Sequence, residues 1–166
     1  RLQHIMQSKQ AIVLDANALN LIAKDNNLQI SLKQRKGLTV LTPHPGEAAR
    51  LLNKSIQDIQ SDRIQAALDL VKQLNVWVVL KGARCVIASP QKHLWINPYG
   101  SPNLATAGTG DVLAGVLGGL LAQGVLPEIA LPAGVALHSL SGENPNWFKA
   151  GQLENIIADK VKLYRQ

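Results

Sequence analysis

Thr106-Ala107-Gly108-Thr109-Gly110-Asp111-Val112-Leu113-Ala114-Gly115 is a glycine-rich loop that runs into an apolar helix. Glycines let backbone amides approach a phosphate closely, and the helix start adds partial positive charge and unpaired N–H donors. Asp111 falls in the first turn, where a carboxylate is stabilised and can take a proton from a hydroxyl beside a bound anion. The same residues also fit a plain turn in which Asp111 only caps the helix, and the local sequence leaves both readings open. Spacing excludes two phosphate loops. No Lys-Ser/Thr pair follows the last glycine, and the G-x-G-x-x-G dinucleotide fingerprint is not matched.

Upstream of this loop, Asn97 to Gly110 is rich in Pro and Gly and reads as irregular chain; downstream, the helix is predicted through about Gln123. Pro127 to Leu140 and Gln152 to Tyr164 predict two more helices. Earlier in the chain, Ala11-Ile12-Val13-Leu14 predicts a strand ended by Asp15, followed by helical turns over Asn17 to Ala23. After the polar stretch Lys24 to Gly37, Leu38 to Leu41 predicts a second strand, stopped by Thr42-Pro43-His44-Pro45-Gly46. The two prolines there argue against both a helix and a central strand. Glu47 to Leu52 reads as helix, and so does Asp62 to Leu74, with Ile64, Ala67, Leu68, Val71 and Leu74 on one face. Val76 to Leu80 predicts a strand buried on both faces, Lys81-Gly82 turns the chain into Cys85 to Ala88, and Leu94 to Ile96 supplies another short strand. Strands alternating with helices predict the α/β class, with an open, mostly parallel sheet flanked by helices.

Composition narrows the partners. At 166 residues, 46% hydrophobic and 17% charged, the chain is a compact domain or a fragment of a larger one, and disorder is excluded. Apolar stretches such as Leu113 to Gln123 are too short to cross a bilayer, so no membrane is expected and the expected location is cytoplasmic. The lone Cys85 supports neither a disulfide framework nor a zinc cluster, and 4% aromatic content requires an aliphatic core. The net charge of +6 is scattered, with its densest run at Lys33-Gln34-Arg35-Lys36 and no aromatics interleaved. That pattern suits an anionic small molecule and gives no case for nucleic acid.

Four motifs occur in a telling order: Asp15-Ala16-Asn17-Ala18-Leu19-Asn20, Thr42-Pro43-His44-Pro45-Gly46-Glu47, Lys81-Gly82, and Ala105 through Gly115. In this order they resemble the nucleotide-dependent NAD(P)H-hydrate dehydratases, repair enzymes of the ribokinase-like superfamily. The resemblance covers almost the whole chain. In that family the domain starts well before the Asp15 strand. Residues 1–166 are therefore expected to be the C-terminal portion of a single ribokinase-like dehydratase domain, lacking its opening strands and helices.

The resemblance implies an ADP-dependent (S)-NAD(P)H-hydrate dehydratase, with ATP replacing ADP in eukaryotic members. Phosphoryl transfer to the ring hydroxyl of hydrated NADH or NADPH, then loss of phosphate, would leave AMP as the other product. By matching positions, Asp111 is the expected catalytic base and contacts the hydrated dinucleotide together with His44. Gly108, Thr109 and Gly110, with Lys81, Gly82, Ala83, Arg84 and Cys85, are the expected nucleotide-binding residues. Magnesium (Mg2+) would bridge phosphates, with Glu47 as an indirect, water-mediated partner. A homotetramer and a fused or separate NAD(P)H-hydrate epimerase are further implications.

Read without the family, these residues have plainer roles. His44 can bond its own loop, Lys81 can be an ordinary solvated lysine, and Asp15 can cap the Asn17 helix. Cys85 stands where the family commonly has threonine and reads as a small core residue. His138 and Glu143 resemble the family's closing helix motif, although Ala-Gly-Asp is more usual there; Trp147-Phe148 reads as packing or a subunit contact. Two other functions use the same loop: a ribokinase-like kinase acting on a hydroxymethylpyrimidine or thiazole alcohol, and a non-catalytic nucleotide-binding fragment.

Overall fold

The first of two units in this computed structural model gathers all the strands found among the described residues, 2–143 and 148–163, with Thr39–Leu41, Trp77–Leu80 and Val86–Ala88 fully buried and the last strand, Leu94–Ile96, largely exposed, as an antiparallel edge allows. In that unit, residues 1–96, β1 (Ile12–Leu14), β2 (Thr39–Leu41), β3 (Trp77–Leu80), β4 (Val86–Ala88) and β5 (Leu94–Ile96) form a five-stranded sheet in sequence order. β1, β2 and β3 are parallel, whereas β3–β4 and β4–β5 pair antiparallel. The open α/β architecture stands, with a mixed sheet. Its antiparallel half follows from loop length: Lys81 to Cys85 and Ser89 to His93 are far shorter than the dozen or so residues a parallel crossover requires.

The parallel half is joined by helices. α1 (Leu2–Met6) precedes β1, α2 (Asn17–Lys24) and α3 (Asn26–Gln34) link β1 to β2, and α4 (Pro45–Leu52), α5 (Ile56–Ser61) and α6 (Arg63–Leu74) link β2 to β3. Leu19, Ile22, Leu32, Leu41, Ile59, Leu70, Leu74 and Leu80 are fully enclosed in one core, each contributing about 2 kcal/mol by burial. Trp77 and Trp95 stack across the antiparallel strands with ring centroids 5.8 Å apart.

Three sequence readings need correction here. α3 occupies the stretch read as merely polar; Asp25 caps it by accepting from the Asn27 and Leu28 amides, and its buried face is only Leu28 and Leu32. The prolines of Thr42 to Gly46 do not exclude a helix, because Pro45 opens α4 at a first-turn position whose missing N–H has no helical partner anyway. In α6 the buried residues are Ala66, Ala67, Leu70 and Leu74, whereas Ile64 is exposed, so the buried face is rotated from the expected one.

The second unit, residues 97–166, is helical in its described part. A single 3₁₀ turn (Pro102–Leu104) precedes α7 (Thr109–Ala122), α8 (Pro127–Gly142) and α9 (Ala150–Leu163). Phe148, Leu153 and Ile157 pack with Leu104, Val112, Val116 and Leu137. α8 approaches α7 so closely that a Cβ at Gly134 would lie 2.7 Å from a Leu117 methyl. No helix among the described residues is long and apolar enough to cross a membrane.

Candidate active site

Open α/β sheets bind ligands beyond the C-terminal ends of their parallel strands. Here those ends are tied together past the strands themselves: the Thr42 amide donates to the Leu14 carbonyl (3.1 Å) and the Lys81 amide to the Pro43 carbonyl (2.8 Å). Asp15 follows β1, His44 and Glu47 follow β2, and Lys81 follows β3. The Lys81 ammonium lies 2.7 and 2.9 Å from the two Asp15 oxygens and 3.9 Å from Glu47 Oε2. These side chains are largely enclosed, with 19%, 11% and 5% exposure for Lys81, Asp15 and Glu47. Asp15 is thus an ion-pair partner. The cap position of α2 is Ala16, and no side chain caps that helix.

His44 is the N-cap of α4. Its Nδ1 accepts from the Gly46 amide (3.0 Å), and Glu47 Oε2 accepts from the His44 amide (2.8 Å), which closes a reciprocal capping box. Because Nδ1 is an acceptor, the neutral ring carries its proton on Nε2. Nε2 stands 3.5 Å from Glu47 Oε1 on a half-exposed side chain. The ring therefore serves its loop through one nitrogen and presents the other as a donor.

The Lys81 to Cys85 turn is built on unusual backbone, with Gly82 at φ +134° and Arg84 at φ +53°. Only glycine suits position 82, where a Cβ would also sit 3.0 Å from Arg63 Nη1. Arg63 braces the turn from below, donating to the carbonyls of Leu80 (3.0 Å) and Lys81 (3.1 Å) and to Gln60 Oε1 (2.8 Å). The amides of Gly82, Ala83 and Arg84 donate to no backbone acceptor among the described residues, so they remain available to an anion. Sequence reasoning missed Arg63. A signal was present: a cation in the first turn of a helix opposes the macrodipole, so an arginine there needs another reason.

Cys85 is the buried floor of the same turn, and burial pushes its thiol up to about 12, against the opposing pull of Arg63 and Lys81. A raised folded-state value means that the native state holds the proton more tightly than the unfolded chain. Stability from this group is full below the ordinary value of 9.0 and is lost as pH climbs toward 12. Cys85→Ala is expected to flatten the alkaline fall in urea-unfolding stability over that range, a fall of up to about 1.4 kcal/mol per pH unit. A fall of undiminished slope in the variant would remove Cys85 as its cause.

The second unit carries the glycine loop. Gly108 is the N-cap of α7 at φ +90°, and a Cβ there would lie 3.0 Å from the Ala150 methyl. Thr109 is buried, its hydroxyl 2.7 and 2.8 Å from the Leu104 and Thr106 carbonyls, and buried His138 donates from Nε2 to the Thr109 carbonyl (2.9 Å). The loop is therefore held from inside. Asp111 points outward in the first turn of α7, beside the Gly110 and Asp111 amides, which lack backbone acceptors among the described residues. His138 is thus a brace of the loop, and Glu143 Oε1 accepts from the Gly100 amide (3.3 Å). Phe148 is core, and Trp147 lies outside the described residues.

This chain is 52% identical over 134 residues to the bifunctional NAD(P)H-hydrate repair enzyme of Gloeobacter violaceus, covering 80% of this chain and 25% of that protein. It is 43% identical over 157 residues to the ADP-dependent (S)-NAD(P)H-hydrate dehydratase of Neisseria meningitidis, covering 93% of this chain and 53% of that one. Among solved structures, the Bacillus subtilis ADP/ATP-dependent NAD(P)H-hydrate dehydratase co-crystallised with ATP/Mg2+ superposes with a TM-score of 0.85 at 31% identity, covering 98% of this chain and 58% of that chain. The chain thus spans about half the length of the single-function relatives and a quarter of the bifunctional ones. Its fold is the ribokinase-like one of its solved neighbours. A family model described as NAD(P)H-hydrate dehydratase matches residues 1–158, across both units, and the chain belongs to that family.

Proposed function

We propose that the chain is part of an ADP-dependent (S)-NAD(P)H-hydrate dehydratase domain, to which both units belong, and that it restores NADH or NADPH from the hydrated form. The observation that carries this is Asp111, exposed in the first turn of α7 beside acceptor-free amides on a loop braced by Thr109 and His138. A carboxylate next to oxyanion donors is what phosphorylation of a hydroxyl requires. Asp111 takes the proton of the ring hydroxyl as that oxygen bonds to the terminal phosphorus of ADP, and the bond from phosphorus to the AMP oxygen breaks. The ring nitrogen then expels phosphate, and loss of a ring proton restores the double bond.

Gly108 and Thr109 shape the loop and the Gly110 amide donates at the phosphoryl group, while the backbone of Lys81 to Cys85 receives the nucleotide. His44 Nε2–H is offered to the hydrated dinucleotide. Among the described residues no three His, Cys, Asp or Glu side chains are grouped to hold a metal, and Glu47 already accepts from the His44 amide. The donor set therefore fits Mg2+ held by phosphates and water, with Glu47 reaching it only through water. Magnesium supplies neutralisation of the phosphate charge. The resemblance extends the reading to a cytoplasmic homotetramer that works with an epimerase of the same hydrate.

The test is to add ADP and magnesium chloride to chemically hydrated NADH and follow the return of reduced-nicotinamide absorbance, with AMP and phosphate measured alongside. Return of absorbance with one AMP per NADH supports the dehydratase. ATP-dependent formation of a stable phosphorylated alcohol, without return, would make the chain a kinase. ADP binding without turnover would leave a nucleotide-binding fragment.

A further inference from the structure

We propose that Lys81 is a positioning residue, the internal counter-ion that joins the ends of three parallel strands, and that its ammonium does not bind the nucleotide phosphates. The proposal deepens the reading that the Lys81 to Cys85 turn serves an adenine nucleotide, and rests on it. Lysine at a strand end beside a glycine turn suggests a phosphate ligand, but here the ammonium is engaged on two sides. It contacts both oxygens of Asp15, beyond β1, and approaches Glu47, beyond β2. Two carboxylates against one ammonium leave the cluster net negative, a poor field for a phosphate. Swinging Lys81 outward would also strip two largely enclosed carboxylates of their cation.

The backbone beside Asp15 gives an independent reason. Ala16 sits at φ 50°, ψ −117°, a region that residues with a Cβ avoid and hold only where their surroundings impose it. Asp15 Oδ1 accepts from both the Ala16 amide (2.8 Å) and the Lys81 ammonium (2.7 Å), so the ion pair fixes the strained turn that starts α2. On its other side, Lys81 faces the Glu47 oxygen that accepts from the His44 amide. One ammonium thus steadies both the β1 turn and the capping box that aims the His44 ring. The phosphates are left to the open amides of Gly82, Ala83 and Arg84.

The experiment combines a stability cycle with binding on this chain: wild type, Lys81→Met, Asp15→Asn and the double variant, each in urea unfolding and in calorimetric titration with ADP and with adenosine. A counter-ion predicts strong coupling, with the double variant more stable than Lys81→Met alone, and a ratio of ADP to adenosine affinity within about twofold of wild type in every variant that folds. If Lys81→Met does not fold while the double variant does, the coupling is established outright. Additive stability losses would overturn the proposal, as would a tenfold fall in the affinity ratio, since a phosphate ligand acts on ADP and not on adenosine. Absence of ADP binding by the wild type would defeat the nucleotide reading alone; the unfolding cycle then decides the role of Lys81 by itself.

Discussion

Asp111→Asn is expected to cut ADP-dependent restoration of NADH about a thousandfold while leaving ADP affinity within about threefold of wild type. The two effects separate because they arise from different atoms. Nucleotide binding at this loop, as proposed, would use backbone: Gly108 in its left-handed conformation and the acceptor-free amides at the start of α7. Asparagine has the same shape as aspartate and suits a first turn, and His138 and the Thr109 hydroxyl, which hold the loop, lie elsewhere. The amide would lose only a favourable charge–dipole term of about 0.3–1 kcal/mol. The proton of the ring hydroxyl, by contrast, would have no acceptor as the oxygen–phosphorus bond forms, and losing a general base costs about 10²–10⁴ in rate. Stopped assays of AMP formation beside equilibrium ADP titration measure both. A variant that keeps a tenth of the wild-type rate would show that Asp111 is not the base, and parallel losses of rate and affinity would make it a structural cap.

Legibility in the sequence depended on how local each feature is. β3 was readable because Val76 to Leu80 is unbroken and all its side chains are enclosed, and α7 because a glycine loop leads into a helix that is charged only at Asp111 in its first turn. α3 was not, since only Leu28 and Leu32 of its nine residues are buried and Ile30 between them faces solvent, which blurs the helical period. The direction of β4 was not visible in its own residues; it follows from the length of the turn before it. The site divides in the same way. Gly108 to Asp111 and His44 with Glu47 lie close in sequence, so the motifs that carry the family resemblance were legible there, although histidine in place of Ser, Thr, Asp or Asn disguised the capping box. The Asp15–Lys81 ion pair joins residues 66 positions apart, and the thrust of Arg63 under the turn spans 17 and 18 positions to its two carbonyls. Both are products of strand order and helix packing, which no window of sequence contains. The same limit applied to His138, whose partner Thr109 is 29 residues away.

Removing Arg63 tests that last kind of contact most directly. Arg63→Met is expected to lower urea-unfolding stability by about 2–3 kcal/mol and to weaken ADP binding about tenfold. The guanidinium donates from one nitrogen to the Leu80 and Lys81 carbonyls and from the other to Gln60, and it fills the space under Gly82 that no side chain at position 82 could share. Methionine replaces the packing of the stem but none of the donors, so two carbonyls at the end of β3 lose their partner. Burial already presses the guanidinium below its usual range, without depriving it of charge at neutral pH, so its loss also removes a cation from beneath the turn. On the proposed nucleotide reading, turn and charge would act on the ligand together, so affinity is expected to fall as well as stability. Arg63→Lys discriminates the causes. A lysine keeps the charge but cannot reproduce the planar fork, so it should recover less than half of the stability while restoring more of the ADP affinity if charge dominates there, and little if backbone position does. Full recovery of both by lysine would reduce Arg63 to a charge. Unchanged stability and affinity in Arg63→Met would instead mean that the turn holds its shape through Gly82 and Arg84 alone.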